Sequence, residues 1–218
     1  DECKPDFIVI GGDMMITKGL VDLKPGLLFC EKLAKKYKVY YANGNHELRL
    51  KDEKYDGLYD ELNKSAKKMG ICRLEDSCKQ LEDICIYGLD IDKKYYKKLD
   101  NAEFDKAYIE SKLGTVNDKS FSILLAHSPL FLNAYADWGA DLALSGHFHG
   151  GTVRVWKDIG LMTPQIHFFS DMVHGLKKKD NTNLIISSGL GTHSINIRLN
   201  DRAELILIEL LPLHTNKD

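Results

Sequence analysis

The sequence lacks several features that mark specialised classes of protein. No apolar run approaches the roughly 20 residues of a membrane-spanning helix, and no charged segment followed by an apolar one opens the chain. The cysteines are an odd number without a repeated C-x-x-C spacing, namely Cys3, Cys30, Cys72, Cys78 and Cys85. This pattern argues against a disulfide scaffold and a zinc ribbon, and it predicts reduced thiols with structural roles.

The sequence also lacks an excess of charge of either sign. Its 30 basic and 32 acidic residues leave a formal net charge of -2. Proteins that bind nucleic acid or anionic lipid through their general surface usually carry a basic excess. We therefore expect no nucleic-acid partner, and we expect affinity for a phosphate group to arise in a local site such as a bound metal.

The length and hydrophobic content suit a single domain. A chain of 218 residues that is 44% hydrophobic can bury one substantial core. No repeat, low-complexity linker or change of composition divides it, so residues 1–218 are expected to form one domain. The opening residues lead directly into an apolar strand, and we therefore expect a domain that is incomplete at its N-terminus.

Apolar runs that end in glycine or polar residues predict the strands of a parallel α/β fold. The predicted strands are 7–10, 39–42, 71–74, 84–89, 121–126 and 142–145, with further strands at 152–156, 183–188 and 203–211. Helical spacing of apolar residues predicts helices after Pro25 and within 51–69, 102–113 and 130–138. The segment 203–211 is apolar for most of its length, which predicts a central strand of a sheet.

Potential metal ligands and proton donors follow four of these strands. They are Asp13, Asn45 with His46, His127, and His147 with His149. Active sites of open α/β sheets form outside the carboxyl ends of strands, so these loops can converge. Carboxylate, amide and imidazole ligands together suit Mn, Fe, Zn, Co or Ni better than calcium. A shared carboxylate also allows two cations about 3.5–4 Å apart, as in phosphoryl transfer.

The order of these residues resembles the motifs of calcineurin-like metallophosphoesterases. The matching segments are Gly12-Asp13, Gly44-Asn45-His46-Glu47, His127 and Gly146-His147-x-His149. Two later segments, GHFHGGTVRVW and SSGLGTHSINIRLNDRAELILIEL, are similar to the YkuE/YaeI-like bacterial branch. The resemblance implies a four-layer α/β/β/α metallophosphatase sandwich, in which helices flank two mixed β-sheets. It also implies that the first strand of that fold is missing here.

The resemblance assigns the candidate ligands to two metal sites. Asp13 would bridge both metals, and Asn45, His127 and His147 would complete the second site. His149 would belong to the first site. The implied function is metal-dependent hydrolysis of a phosphomonoester, a phosphodiester or a pyrophosphate, in which a metal-activated hydroxide attacks phosphorus.

The resemblance makes His46 the catalytic residue that protonates the leaving oxygen or stabilises the transition state. Many members of the family have an aspartate three residues after the motif aspartate, and it orients this histidine. Ile16 stands at that position here. Either another group orients His46, or its contribution as an acid is smaller. Glu47, next to it in sequence, is expected to orient residues of the site without binding the metal itself.

The family's opening Asp-x-His motif has no counterpart upstream of Asp13. That motif supplies two ligands to the first metal, which would therefore retain only Asp13 and His149 from this chain. The second metal would keep its full set of ligands. We expect the chain to hold the second metal more tightly than the first.

Several alternatives stay open at the level of sequence. Because half of one metal site is missing, the chain could be a degenerate, non-catalytic metal-binding domain. A nuclease of the same superfamily is a second alternative. The expected partner is a small phosphorylated or phosphodiester substrate, and a membrane-associated substrate is also open because relatives in this branch act near membranes. The expected location is cytoplasmic or membrane-associated, and the oligomeric state is left open.

Overall fold

The computed structural model of the chain describes residues 3–17, 19–97, 103–149, 154–156, 159–162, 168–170, 172–191 and 202–212. The helices are α1 (Lys24–Ala34), α2 (Asn45–Arg49), α3 (Leu58–Lys68), α4 (Lys106–Leu113) and α5 (Leu132–Trp138). The strands are β1 (Phe7–Ile10), β2 (Lys38–Ala42), β3 (Cys72–Leu74), β4 (Ser77–Leu81), β5 (Ile84–Leu89), β6 (Phe121–Ala126), β7 (Leu142–Ser145), β8 (Arg154–Trp156), β9 (Ile159–Met162), β10 (Phe168–Ser170), β11 (Gly175–Lys179) and β12 (Thr182–Ile186). Short 3-10 helices lie at Glu53–Tyr55, Lys93–Tyr96 and Pro129–Phe131.

Two sheets position the loops that carry the candidate ligands. The smaller sheet has the order β1-β2-β3, and its strands are parallel. The larger sheet has the order β11-β12-β7-β6-β5-β4. Its four inner strands are parallel, while β4 and β11 join antiparallel at the two edges. A separate antiparallel sheet has the order β10-β9-β8.

The alternation of side chains along β2 places the core on both sides of the smaller sheet. Tyr40 and Ala42 belong to a buried cluster with Ile123 of the larger sheet, so the two sheets face each other. Val39 and Tyr41 point the other way, into a second cluster. Because both faces of β2 are covered, the strand is apolar in consecutive positions rather than in alternate ones.

Helices cover the outer face of each sheet. The cluster beneath the smaller sheet includes Leu62 and Ala66 of α3, and Cys30 of α1. The cluster outside the larger sheet includes Ile109 of α4 and Tyr135 of α5. These layers confirm the predicted sandwich of two sheets flanked by helices.

The prediction of a central strand at 203–211 is wrong. The segment has no regular secondary structure, and Leu205, Leu207 and Leu211 are 84%, 62% and 74% exposed. Ile208 does pack against the cluster between the sheets. An apolar run predicts burial, but a central strand also needs a free strand edge in register on each side, and the run itself carries no information about such edges.

Two predicted helices begin later than their apolar spacing suggested. The helix expected from residue 102, which lies outside the described residues, begins at Lys106 after Asp105 caps its first turn through the Tyr108 N–H. The helix expected from residue 130 begins at Leu132, because the Pro129–Phe131 turn is a 3-10 helix. Within the described ranges, no helix has the length and apolar character needed to cross a bilayer. Residues 150–153, which cover parts of a predicted turn and strand, lie outside the described residues.

Candidate metal centre

The loops after β1, β6 and β7 bring three of the predicted ligands together. Asp13 follows β1, His127 follows β6 directly, and His147 follows β7. One ligand atom of each lies within 4.8 Å of the others. Residues that are 114 and 134 positions apart in sequence therefore meet at one point because the strands before them end at the same edge of the two facing sheets.

Several of the candidate ligands have an unusual backbone conformation. Asp13, His147 and His149 have φ angles of 55°, 68° and 46°, in the left-handed region that side chains with a Cβ rarely adopt. Residues of this kind cluster where the surrounding structure holds a strained loop for a functional reason. The strain therefore supports a functional role for the loops after β1 and β7.

Two glycines allow the loops after β1 and β2 to touch. A side chain on Gly12, which has φ 96°, would collide with the backbone of Gly44. A side chain on Gly44 would collide with the carboxylate of Asp13. Close backbone approach thus explains the glycine that precedes Asp13 and the glycine that precedes Asn45.

The contact between His127 and Asp13 indicates that a positive charge belongs between them. Nδ1 of His127 lies 2.8 Å from the carbonyl oxygen of Gly11, and a carbonyl can only accept, so Nδ1 carries a proton. Nε2 of the neutral ring then presents a lone pair. It lies 2.9 Å from Oδ2 of Asp13, although the pair is not aligned as a hydrogen bond. Two acceptors at this distance require a proton or a metal cation between them.

The protein without metal satisfies this requirement with a proton. Burial alone would raise the pKa of Asp13, but the positive charge of His127 beside it holds that pKa far below its usual range. Burial alone would lower the pKa of His127, but Asp13 raises it above its usual value. Both directions favour a carboxylate beside an imidazolium, and a metal at this position would displace the proton on Nε2.

Asn45 offers a further oxygen atom that could bind a metal. It is buried at the start of α2, and its Oδ1 forms no hydrogen bond with any described residue. A buried amide oxygen without a donor costs about 1–3 kcal/mol, which a cation would offset. One carboxylate, one amide oxygen and two imidazoles match the ligands of divalent transition metals. The residues present therefore fit a metal.

His149 lies apart from the group that contains His147, the other candidate histidine of its loop. It is partly exposed and does not belong to the group formed by Asp13, His127 and His147 in the described part of the chain. The structure thus brings three of the predicted ligands together. Asn45 is buried in the adjoining loop, between Gly44 and His46, which both approach Asp13.

His46 lies beside the same group, and its partner is Thr17. Nδ1 of His46 accepts the backbone N–H of Thr17 at 2.9 Å and lies 2.7 Å from the Thr17 hydroxyl. The backbone N–H of His46 donates to Oδ1 of Asp13 at 2.8 Å. Burial is the largest cause of the lowered pKa of His46. Ile16, at the position of the family's aspartate, is 58% exposed and does not take this role.

Comparison with known proteins decides the family. Residues 1–151 match the calcineurin-like phosphoesterase family. The chain belongs to this family. It is 27% identical over 205 residues to the uncharacterized metallophosphoesterase YkoQ of Bacillus subtilis, covering 92% of this chain and 70% of that protein. It is 30% identical over 211 residues to the uncharacterized metallophosphoesterase Cj0846 of Campylobacter jejuni, covering 94% and 50%.

The relatives also include YkuE of Bacillus subtilis, an uncharacterized metallophosphoesterase that is 24% identical over 211 residues, covering 96% of this chain and 69% of that protein. The chain spans about half the length of its Campylobacter and Helicobacter relatives. No solved structure matches significantly. The membership supports metal-dependent phosphoester hydrolysis in general terms, because the family binds divalent metals.

Tyr96 is a site residue that the calcineurin-like motifs did not mark. It ends the 3-10 helix Lys93–Tyr96, and its ring lies 4.9 Å from that of His147 in an edge-on contact. Its hydroxyl is buried and forms no hydrogen bond with any described residue. Burial, followed by the charge of Asp13, raises the pKa of Tyr96 well above its usual value. Sequence reasoning missed it because no metal or phosphate motif includes a tyrosine at this spacing.

A polar network behind β2 was also missed. Asn43, the residue before the Gly-Asn-His-Glu segment, donates through Nδ2 to Asp90 at 2.9 Å and to the hydroxyl of Tyr59 at 2.9 Å. Lys51 completes the network through an ion pair of 3.2 Å with Asp90. The ends of β2 and β5 are therefore tied together directly before the loop that carries Asn45.

Proposed function

We propose that this chain hydrolyses phosphate esters, with a divalent metal held by Asp13, Asn45, His127 and His147. The observation that carries the proposal is the distance of 2.9 Å between Nε2 of His127 and Oδ2 of Asp13, two atoms that a divalent cation could bind in place of the proton. The pair lies within reach of a second imidazole, that of His147. A carboxylate and two imidazoles brought together in a largely buried place are costly to desolvate unless a proton or a cation lies between them.

The residues of the chain divide the work in a defined way. When bound, the metal lowers the pKa of a water and neutralises charge on the phosphate. Oδ1 of Asp13 accepts the His46 N–H at 2.8 Å, so Oδ2, which lies 2.9 Å from His127, would be the oxygen that holds the cation. His46, buried beside Asp13, would stabilise the leaving oxygen. We also propose a second metal that shares Asp13 and uses His149, so the intact site would be dinuclear.

The metals that fit this mixture of ligands are Mn, Fe, Zn, Co and Ni, and manganese is the one to test first. The proposed substrate is a small phosphomonoester, phosphodiester or pyrophosphate, and a membrane-associated substrate is an alternative. A net charge of -2 gives no support to a nucleic-acid substrate. The relatives' names state only that they are metallophosphoesterases.

A panel of phosphomonoesters, phosphodiesters and pyrophosphates, assayed with manganese, tests the proposal. We expect turnover of at least one class, and a fall in kcat of about 100-fold or more for His46→Ala. His174→Ala is the matched control, because His174 pairs with Glu204 at 2.9 Å outside the metal group. Metal binding without turnover of any class would instead support a non-catalytic domain.

A further inference from the structure

The loop after β1 presents Thr17 to the imidazole of His46. The backbone N–H of Thr17 lies 2.9 Å from Nδ1, and its hydroxyl oxygen lies 2.7 Å from the same atom. Both residues are buried, with 5% and 7% of their surfaces exposed. Water therefore competes little with this contact.

The backbone N–H decides which nitrogen of the ring carries the proton. A backbone N–H can only donate, so Nδ1 of His46 must present its lone pair to Thr17. The hydroxyl can rotate to donate to the same lone pair. The proton of the ring then resides on Nε2. An aspartate partner would impose the opposite arrangement, because a carboxylate can only accept and would require a proton on Nδ1.

A third side chain holds Thr17 in place. The hydroxyl of Tyr55 donates to the carbonyl oxygen of Thr17 at 3.1 Å. Tyr55 itself packs against the buried cluster beneath the smaller sheet. Thr17 is thus held through its carbonyl oxygen by Tyr55, while its N–H and hydroxyl meet His46.

We propose that Thr17 is a positioning residue that directs an Nε2–H of His46 toward the substrate, and that the preferred substrates are therefore those whose leaving group departs without receiving a full proton. This inference rests on the proposed phosphoester hydrolysis. A neutral imidazole donates a hydrogen bond to a developing negative charge, but it is a much weaker acid than an imidazolium. Pyrophosphates and aryl phosphates meet the requirement, whereas alkyl phosphates do not.

Nitrogen-15 NMR of the metal-free protein tests the arrangement without any assay of hydrolysis. The resonances of His46 are identified by their loss in His46→Gln. We expect Nδ1 to resonate as an unprotonated, pyridine-type nitrogen and Nε2 as a protonated, pyrrole-type one. The reverse pattern would overturn the proposal, even if the chain proves to be an active phosphoesterase.

Kinetics of the manganese-loaded protein test the role in positioning. Thr17→Val keeps the shape and the backbone N–H that sets the tautomer, but it removes the hydroxyl that also holds Nδ1, and Thr17→Ser restores this second contact. We expect the valine variant to lower kcat about tenfold with little change in KM, and the serine variant to recover most of the loss. The loss should be larger for substrates with poorer leaving groups. Equal kcat in all three proteins, or an effect on KM alone, would overturn the proposal.

The two measurements separate this inference from the function on which it rests. If no substrate is turned over, the proposed function fails, but the NMR pattern still tests whether the proton of the His46 ring resides on Nε2. If turnover is faster for alkyl phosphates than for aryl phosphates or pyrophosphates, hydrolysis is established and the inference about Thr17 and the leaving group is overturned.

Discussion

The backbone N–H of Asp13 donates to the carboxylate of Glu47 at 2.8 Å. The same carboxylate accepts the N–H groups of Met14 at 2.8 Å and Gly44 at 2.9 Å, and the hydroxyl of Tyr41 at 2.6 Å. Glu47 is completely buried. One side chain therefore fixes the loop that carries Asp13 against the loop that carries the buried amide of the metal site.

Glu47→Gln is expected to loosen both loops. The glutamine would present an amide NH2 to backbone N–H groups that can only donate, so at least one of them would lose its acceptor. We expect the free energy of unfolding of the metal-free protein to fall by about 2–3 kcal/mol, and metal affinity to fall with it. Urea denaturation and calorimetric titration with manganese measure the two effects. Glu53→Gln, at an exposed position, is the control, and an equal stability of both variants would contradict the prediction.

Metal affinity is expected to increase with pH because the metal must displace a proton from His127. Asp13 raises the pKa of His127 above its usual value of 6.5, despite burial. Below that raised pKa, binding releases one proton, and affinity should fall about tenfold per pH unit. Above it, affinity should level off. Titration calorimetry in buffers of different ionisation enthalpy counts the proton, and an affinity that does not change with pH would refute the assignment.

Asn45→Ala should separate metal binding from stability. Oδ1 of Asn45 has no hydrogen-bond partner among the described residues, so its removal breaks no such bond there. We expect the metal-free protein to unfold within about 0.5 kcal/mol of wild type, or to be slightly more stable. Manganese affinity should fall at least tenfold. A loss of stability without a loss of affinity would show that the amide has a structural role instead.

The chain is expected to bind one divalent cation tightly and a second more weakly. We propose that the tighter site uses Asp13, His127 and His147, whose ligand atoms lie within 4.8 Å of one another, together with Asn45. His149 would be the additional ligand of the other site, and it is not part of that group in the described residues. Titration calorimetry with manganese, checked by metal analysis after dialysis, measures both sites. Two cations of equal affinity would disprove this prediction.

The bounds of several strands could be predicted from the sequence. The observed strands Phe7–Ile10, Ile84–Leu89, Phe121–Ala126 and Leu142–Ser145 match their predicted bounds, because each is a mostly apolar run that ends where a loop begins. The run at 203–211 is also mostly apolar, yet it forms no strand. Strand pairing depends on which edges other segments leave open, and local sequence does not encode this.

The meeting of three candidate ligands could be predicted from the sequence, but the residues around them could not. Spacing after strand ends is sufficient to bring Asp13, His127 and His147 to one place, because parallel strands end at a common edge. The partner of His46 is different. The fold of the loop after β1 brings Thr17 to His46, and the contact uses a backbone N–H. Because every residue type except proline has that group, the sequence does not mark Thr17 as the partner. Tyr96 likewise approaches His147 from a 3-10 helix that no motif describes.

Tyr96→Phe and Tyr135→Phe should change stability in opposite directions. The hydroxyl of Tyr96 is buried without a partner among the described residues, and its removal relieves a desolvation cost. The hydroxyl of Tyr135 donates to the carbonyl oxygen of Ser128 at 2.5 Å, and its removal leaves that oxygen only the longer contact of 3.4 Å with the Ser145 hydroxyl. We expect the free energy of unfolding of the metal-free protein to rise by about 1 kcal/mol for the first variant and to fall by about 1–2 kcal/mol for the second. Both substitutions remove only a hydroxyl group, so the packing of the rings is kept. Denaturant unfolding of the two variants side by side measures the difference. If Tyr96→Phe destabilises the metal-free protein as much as Tyr135→Phe does, the Tyr96 hydroxyl forms a hydrogen bond within the protein, and the prediction is wrong.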